Sequence, residues 1–431
     1  MKKIYESDWG YKVVRAIADP YIHAAFTKIR YEGRENLPEA GAPIFSPNHC
    51  DALLDPLVVM AKDHEKMVFV ARADIFNKPV IRKILTFFKI MPIHRVRDGF
   101  RNVLNAEDTI EKSIEVLNNL VPFCILPEGR HRSMHSLLPL GKGIARIACG
   151  ADKTLEGRQH VYIVPIGCEY GDYYRYRAST LLVTIGKPID VSAYLAAHAG
   201  RHEAVLLNDI RSMTAEAMKQ LIVYIPDDED YEATWELAKL LSGQIPERDL
   251  RGRFNANRAA AEKIGKLREA APEKAKKLFE NALEFTRARK RARISLHATY
   301  TKHPLAAALW RTLKTVICLP VILAMALASL PAWIVGEKMA HDVKDRTFRN
   351  SFRCGVLIIL WTLLLVVWAV VLFCTVKWYW ALAALVLLIP APMFTYQWVE
   401  QLRRCASSWR YLCNSRIRHW KNDLLNQLKT L

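Results

Sequence analysis

The sequence lacks the short motifs of several common enzyme classes. It contains neither a Gly-x4-Gly-Lys phosphate loop nor a His-Glu-x2-His zinc motif, which excludes P-loop nucleotide hydrolases and zinc peptidases of that type. Its nine cysteines include no Cys-x2-Cys pair, and Cys318, Cys354 and Cys374 lie in or beside apolar segments. This distribution is typical of free thiols in a reducing compartment, so neither a disulfide framework nor a zinc site is expected.

Acidic residues are too few to balance the basic ones. The chain has 43 Asp and Glu against 62 Lys and Arg, a net charge of +19, which indicates an anionic partner: nucleic acid, membrane lipid or substrate. Aromatic residues are not interleaved with the basic ones, as stacking on bases requires, and the basic residues border long apolar segments. We therefore favour the membrane and expect no nucleic-acid partner. The N-terminus also lacks the apolar core of a cleaved signal peptide.

Residues 1–35 are expected to form an amphipathic helical segment that docks on a membrane. Two short helices are predicted, separated at Pro20 because proline breaks a helix. Their apolar faces are Val13, Val14, Ile17 and Tyr21, then Ile22, Ala25, Phe26 and Ile29. The segment fits either a flap packed on the next domain or an interfacial anchor, and the two are compatible.

Residues 36–200 are expected to form an α/β domain. Five short apolar runs are candidate strands: Pro43–Ser46, Met67–Ala71, Pro122–Leu126, Val161–Gly167 and Leu181–Gly186. Between them, apolar residues recur at spacings of 7, 4, 3 and 4 from Val103 to Val121, which predicts a helix. Strands that alternate with helices predict a largely buried sheet.

The rest of the chain divides into a charged extension, an apolar region and a basic tail. Residues 201–300 are expected to be helical, and their basic run at 287–293 is either a solvated face or a contact with anionic headgroups. Residues 301–400 form the membrane region, and residues 401–431 the tail. Three apolar segments, each about 20 residues long, are candidate membrane segments: Thr315–Val335, Gly355–Val376 and Trp378–Tyr396.

The distribution of basic residues indicates how many of these apolar segments cross the membrane. The last two segments are separated by Lys377 alone and predict a transmembrane hairpin. If all three crossed, the basic loop 336–353 and the basic tail would both lie away from the N-terminal domain, which the positive-inside rule disfavours. We therefore expect two crossings and a re-entrant or interfacial segment at 315–335. The catalytic domain is then expected on the cytoplasmic face of an integral membrane protein.

One block of residues combines a histidine with nearby carboxylates at a predicted strand end. The block runs from Ser46 to Pro56 and contains His49, Asp51 and Asp55. A histidine oriented by a carboxylate is the general-base pair that removes a proton from a hydroxyl. Such a pair occurs often by chance, so this block alone does not identify an enzyme.

Two further blocks carry basic residues after apolar runs. The first, at 90–98, contains Arg95; the second, at 126–133, contains Glu128, Gly129, Arg130 and Arg132, with Lys142 between two glycines further on. Guanidinium groups beside a glycine at a strand end can bind a phosphate in bidentate fashion. Each arginine taken singly is also consistent with a surface ion pair. The fourth block, Val164–Gly167, is a buried strand.

The order and spacing of these four blocks resemble the glycerolipid acyltransferase family, over about residues 40–190. That family has an Asn-His-x4-Asp block, an arginine after an Ile-x pair, a Pro-Glu-Gly-Thr-Arg-Ser block and a Val-Pro strand. The resemblance implies an α/β fold with a mixed sheet flanked by helices, here followed by a helical extension and C-terminal transmembrane helices. It implies no metal or prosthetic group, with acyl-CoA or acyl carrier protein as co-substrate.

The resemblance also implies a role for each matching residue. His49 would be the general base and Asp55 its partner. Arg95 would bind the phosphate of the acceptor, and Glu128, Gly129 and Arg132 would shape that site. Val164-Pro165 would help line the acyl pocket. Arg130 and Lys142 are further candidate phosphate ligands from their positions beside glycines, independently of the resemblance.

Two departures from the family pattern leave alternatives open. The spacing here is His-x5-Asp, so Asp55 reaches His49 only if the intervening turn is non-helical, and Asp51 is a second candidate partner. The longer spacing looks like the yeast-type branch that acylates glycerol-3-phosphate or dihydroxyacetone phosphate. The third block has an extra residue, which leaves either Arg130 or Arg132 to contact the phosphate.

The sequence therefore predicts an O-acyltransferase of phospholipid synthesis. Glycerol-3-phosphate is slightly favoured over lysophosphatidate as the acceptor, and another lysolipid, such as a lyso-aminolipid, is a related alternative. A non-catalytic module that binds anionic lipid is an alternative of a different class. Intact His49 and Asp55 argue against it, because a degenerate homologue has no chemical reason to keep both.

Overall fold

The computed structural model describes residues 3–6, 9–61, 66–93, 102–171, 173, 176, 179–243 and 245–430. The chain divides into two compact units. The first comprises Met1–His23, Ile29–Tyr173 and Leu181–Ile222, and the second Ala24–Lys28, Tyr174–Thr180 and Val223–Leu431.

The first unit is built on an eight-stranded mixed sheet. Its strands are β1 (Lys28–Glu32), β2 (Ala42–Pro47), β3 (Val68–Arg72), β4 (Ile90–Ile93), β5 (Phe123–Cys124), β6 (Val161–Tyr170), β7 (Thr180–Ile185) and β8 (Ile189–Asp190). Their order is β1-β7-β6-β2-β5-β3-β4, with β8 paired to β6. Strands β6, β2, β5, β3 and β4 run parallel, while β7 and β8 are antiparallel to β6. The carboxyl ends of these five strands therefore lie at one edge, where β2, β4 and β5 end beside the first three sequence blocks described above, while the fourth block lies within β6.

Helices cover this sheet and account for its apolar strands. They are α1 (Trp9–Ala24), α2 (Leu54–Met60), α3 (Pro79–Phe87), α4 (Asn102–Asn118), α5 (Gly143–Leu155), α6 (Val191–Ala197) and α7 (Glu203–Gln220). In the centre of the sheet Ile44 pairs with Phe123 on one side and Ile163 on the other, and all three are fully buried. Parallel strands covered on both faces need apolar residues on both, which explains the continuous apolar runs of the sequence. The expected α/β fold with a mixed sheet flanked by helices is confirmed.

The N-terminal segment differs from the two helices that the sequence predicts. A single helix, α1, runs through Pro20, and Ile29 lies in strand β1 beside β7. Pro20 lies near the end of α1, where the loss of one backbone donor affects few hydrogen bonds. A second helix of fewer than ten residues would be marginal by itself, whereas the edge of the sheet offers backbone partners.

The second unit is helical. Its helices are α8 (Tyr231–Ser242), α9 (Leu250–Ala270), α10 (Pro272–Arg291), α11 (Pro304–Asp342), α12 (Phe348–Val356), α13 (Thr362–Thr375), α14 (Trp378–Leu388), α15 (Ala391–Cys413) and α16 (Ser415–Lys429). A π-helical turn, Leu357–Trp361, joins α12 to α13. Helices α8, α9, α10 and α16 contribute to one apolar core, which includes Phe285, Leu424 and Leu428.

Among the residues of this unit that the structure describes, two helices are long and apolar enough to cross a membrane, or three if a bent pair is counted as one span. They are α11, with 39 residues, and the continuous helix Phe348–Thr375, while α14 and α15 form the pair, bent by 46°. The re-entrant form expected at 315–335 does not fit α11, which is unbroken through Pro320 and Pro331, and the interfacial form stays a prediction. The chain turns between α13 and α14 as expected, but the predicted helix 378–396 breaks before Ala391, where Pro390 provides no N–H group.

Candidate active site

The candidate site lies at the carboxyl ends of the parallel strands. His49 follows β2, Tyr170 is the last residue of β6, and the connection from β5 to α5 contains Glu128. The carboxyl edge of an open α/β sheet is where ligands usually bind, because the connecting loops of several strands meet there. Arg95, the predicted phosphate ligand after β4, lies outside the described residues.

A non-helical turn brings His49 and Asp55 together. Ala52 has a φ of 47°, a left-handed conformation, and α2 begins only at Leu54. This turn replaces the helix that would have carried the Asp55 side chain away from His49, and the His49 Nδ1 to Asp55 Oδ2 distance is 2.8 Å. The non-helical turn that the His-x5-Asp spacing requires is therefore present.

The Asp55 carboxylate is fully buried and receives four hydrogen bonds. His49 Nδ1 and the backbone N–H groups of Cys50 and Asp51 contact Oδ2 at 2.8, 2.7 and 2.9 Å, and the Tyr170 hydroxyl donates to Oδ1 at 2.5 Å. Donors on both oxygens offset the loss of solvation that a buried carboxylate suffers. With Nδ1 donating to Asp55, the Nε2 atom of His49 is left as the proton acceptor.

Asp51 does not occupy the position of Asp55. It is also buried, at 1% exposure, but its contact with the pair is through its backbone N–H, which donates to Asp55. The structure thus brings the carboxylate of Asp55, and the backbone of Asp51, into the cluster around His49.

Glu128 holds the backbone of His49 to the β5–α5 connection. Its Oε1 accepts a hydrogen bond from the His49 N–H at 2.7 Å, and its Oε2 accepts one from the Leu138 N–H at 2.8 Å. Burial raises the pKa of Glu128 to about 7, although these two backbone donors act in the opposite direction. Glu128 therefore acts on the backbone of the site and on the loop that covers it.

The remaining predicted residues lie on the same connection. Gly129 has a φ of 66°, which favours glycine, and the Arg132 N–H donates to the His49 carbonyl oxygen at 2.9 Å. Arg130 is exposed, and Lys142 is exposed at the start of α5. The Arg132 backbone is thus in direct contact with His49, whereas Arg130 and Lys142 present their charges to the surroundings.

Three residues of the site were not predicted from the sequence. Tyr170 contacts Asp55, the His131 ring lies edge-on to the His49 ring with centroids 5.2 Å apart, and Asn48 joins β2 to β6. Asn48 accepts from the Cys168 N–H at 2.6 Å and donates to its carbonyl oxygen at 3.1 Å. Asn48 and His131 lie inside the recognised blocks, but the sequence contains no signal that links Tyr170 to Asp55.

Burial also affects two thiols next to the pair. The pKa values of Cys50 and Cys168 are raised well above the usual range, chiefly by burial and then by the charge of Asp55. Both thiols are therefore neutral and poorly nucleophilic. Among the described residues, no group of three or more His, Cys, Asp or Glu side chains is arranged to hold a metal ion.

A protein-family model matches the part of the chain that contains the candidate site. Residues 28–169, about one third of the chain, match a family model described as Acyltransferase, and this range contains every residue of the predicted site. The match supports an acyltransferase domain here. A search of curated proteins gives no match.

An acyltransferase is among the solved structures that match. It is the 1-acyl-sn-glycerophosphate (LPA) acyltransferase PlsC from Thermotoga maritima, with 17% sequence identity and a TM-score of 0.36. The alignment covers 49% of this chain and 77% of that one.

Proposed function

We propose that this chain is a membrane-bound O-acyltransferase that transfers a fatty acyl group from a thioester to a hydroxyl of a glycerol-phosphate-type acceptor. The observation that carries the proposal is the His49 Nδ1–Asp55 pair, 2.8 Å apart within the segment that matches the acyltransferase model. His49 is 16% exposed while Asp55 is fully buried, so the imidazole is accessible and its partner is not. This is the arrangement that a general base requires.

The reaction needs one proton acceptor. His49 Nε2 takes the proton of the acceptor hydroxyl as its oxygen attacks the carbonyl carbon of the thioester, and Asp55 stabilises the imidazolium that forms. The tetrahedral intermediate then expels the thiolate. The thiolate takes the proton from His49, which restores the neutral imidazole and releases the free thiol and the acyl ester. No covalent enzyme intermediate is needed, and both nearby cysteines are buried.

The basic residues of the site support an acceptor that carries a phosphate. Arg130, Arg132 and Lys142 lie on the connection that Glu128 ties to His49, and Arg95 follows β4 in the sequence. We favour glycerol-3-phosphate over lysophosphatidate as the acceptor, with acyl-CoA or acyl carrier protein as the donor. A lyso-aminolipid acceptor is the second candidate.

The apolar helices of the second unit support a location in the membrane. Side chains on α11, α13 and α14 are apolar and largely exposed, which is stable only in lipid or against another apolar surface. We propose that these helices anchor the enzyme with its catalytic unit on the cytoplasmic face, where acyl thioesters are made.

The test is acyl transfer by membranes that contain the full chain. Labelled acyl-CoA and acyl carrier protein are each offered with glycerol-3-phosphate, dihydroxyacetone phosphate, lysophosphatidate and a lyso-aminolipid. We expect one acceptor to be acylated, and His49→Ala to lower the rate at least 10³-fold, in the range of general-base catalysis. His131→Ala is the matched control, since its ring lies against that of His49.

Three outcomes distinguish the alternatives. A product that persists in His49→Ala but disappears in His131→Ala would move the base to His131. Acylation of the lyso-aminolipid alone would support the proposed acyl transfer but would replace glycerol-3-phosphate as the acceptor. No product with any pair, from protein that is present and membrane-bound, would favour the non-catalytic lipid-binding module.

A further inference from the structure

Helix α3 of the catalytic unit is amphipathic but buries none of its residues. Val80 and Ile84 are 67% and 46% exposed, and Phe87 and the preceding Ile75 are also exposed. Val80, Ile84 and Phe87 are spaced four and three residues apart, so they lie on one face of the helix. Ile81 and Leu85, which are partly buried, lie toward the protein, so the exposed apolar face is left without a described partner surface.

The neighbouring helix exposes a similar stripe. Trp9, Val13 and Ile17 of α1 are spaced four residues apart and are 80%, 48% and 41% exposed. The two helices are in contact, because the Tyr11 and Phe87 rings pack edge to face with centroids 6.4 Å apart. Exposed apolar residues are therefore concentrated on two adjacent elements of the catalytic unit.

Basic side chains surround the apolar residues of α3. Lys3, Arg82, Lys83 and Lys89 line a cavity of about 350 Å³ beside Phe87, and no described carboxylate lines it. Lys3 pairs with Glu115 at 2.8 Å, and Lys89 donates to the Glu6 carbonyl oxygen at 2.7 Å. Arg82 and Lys83 have exposed side chains, and their charges offer a site for an anionic group.

We propose that α3, together with the exposed stripe of α1, docks the catalytic unit on the surface of an anionic lipid bilayer. Apolar side chains with a basic border are the composition of an interfacial helix: the apolar face enters the acyl region, and the cations contact the headgroups. The cavity beside Phe87 is the place for a lipid phosphate. A second copy of the chain fits less well, because two-fold pairing of this face would bring its cations together.

This contact is additional to the hydrophobic anchor of the second unit, and it does not depend on the proposed reaction. It holds the catalytic unit against the membrane surface. It also explains why the face of α3 that carries Val80 and Ile84 is exposed.

The experiment places a photoreactive residue on the face of α3. p-Benzoylphenylalanine replaces Val80 or Ile84 in the full chain, reconstituted in vesicles that contain either phosphatidylcholine alone or added phosphatidylglycerol. Glu156, exposed at the end of α5, is the control position. We expect irradiation to attach lipid at positions 80 and 84, at least tenfold more than at 156, and more strongly in the anionic vesicles.

A charge reversal tests the basic border. Arg82→Glu with Lys83→Glu should remove the preference for anionic vesicles, while the apolar helices of the second unit keep the chain in the membrane. Adducts between two copies of the chain would overturn the proposal in favour of a dimer interface. Equal labelling at 80, 84 and 156 would overturn it as well.

Discussion

At the scale of single residues, the site depends on how Asp55 is held. A carboxylate at 0% exposure loses its hydration, and the four donors around it replace that hydration only while the turn 49–54 keeps its shape. Removal of one partner from such a buried group costs about 1–3 kcal/mol, which is more than the net contribution of a typical hydrogen bond. The geometry of His49 and the stability of the turn are therefore linked.

The sequence leaves Asp51 and Asp55 as alternative partners of His49, and substitution of each aspartate should distinguish them. Asp55→Asn removes the charge that stabilises the imidazolium and presents an amide to the backbone donors, so we expect kcat to fall about 10²- to 10⁴-fold. Asp51→Asn keeps the backbone N–H that donates to Asp55, and we expect a loss of less than tenfold. Rates are compared at equal amounts of membrane-bound protein. A larger loss in Asp51→Asn would make Asp51 the partner.

Tyr170 is expected to position Asp55. Tyr170→Phe removes the donor to Oδ1 and leaves the carboxylate charge to be balanced by fewer partners, chiefly His49. Asp55 then orients the His49 ring less firmly, so we expect kcat to fall about tenfold with little change in KM. Tyr173→Phe removes a hydroxyl from the adjacent ring and is the control. An unchanged kcat for Tyr170→Phe would leave Tyr170 with a packing role alone.

The residues of the site differ in how well the sequence predicts them. His49 and Asp55 are six positions apart, and a local motif identifies both. Tyr170 is 115 positions from Asp55, and only the pairing of β2 with β6 brings it close. Likewise, the sequence does not separate Arg130 from Arg132, because the contact of Arg132 with the His49 backbone depends on how the loop is folded over the sheet.

At the scale of elements, Glu128 joins two pieces of chain. The His49 N–H, just after strand β2, and the Leu138 N–H, in the β5–α5 connection, both donate to the Glu128 carboxylate.

The sequence pattern predicts some strands of the sheet better than others. The run 122–126 forms only a two-residue strand, because after Ile125, whose N–H donates to the Phe45 carbonyl oxygen, the chain leaves β2 to build this connection. Strand β5 is therefore short because the chain turns away to form the site, and not because its residues disfavour a strand.

The raised pKa of Glu128 predicts how stability depends on pH. Below about pH 4.5 the carboxyl group is protonated in both the folded and the unfolded chain, whereas between about 4.5 and 7 it ionises first in the unfolded chain. The free energy of unfolding should therefore fall as pH rises through this window, by up to about 3 kcal/mol from this group.

Glu128→Gln tests this dependence. The variant has no group that titrates at this position, so thermal unfolding of purified protein in detergent at pH 5 and pH 8 should show a smaller drop than in the original chain. Glu169→Gln, in which the altered residue pairs with His135, is the control. The same pH dependence in Glu128→Gln and the original chain would assign the effect to other groups.

At the scale of the whole molecule, the packing of the second unit restricts how many times its apolar helices can cross a membrane. Helix α16 packs in the same core as α8, α9 and α10, and Trp420 Nε1 donates to Asn281 Oδ1 at 2.6 Å. The chain before α11 and the chain after α15 therefore lie on the same side of any membrane. Composition alone counts apolar segments but does not reveal this contact, because α16 is separated from α10 by more than a hundred residues.

The restriction predicts an even number of crossings. If α11 and the helix Phe348–Thr375 each cross, then α14 and α15 must enter and return on one side, and their 46° bend at Pro390 provides the break. In sealed vesicles, a membrane-impermeant maleimide should label the exposed Cys413 and a cysteine introduced at Glu269 of α9 from the same side. The second site is measured in a Cys413→Ser background. Labelling from opposite sides would require three crossings, which would separate α16 from α10 and contradict the core that they share.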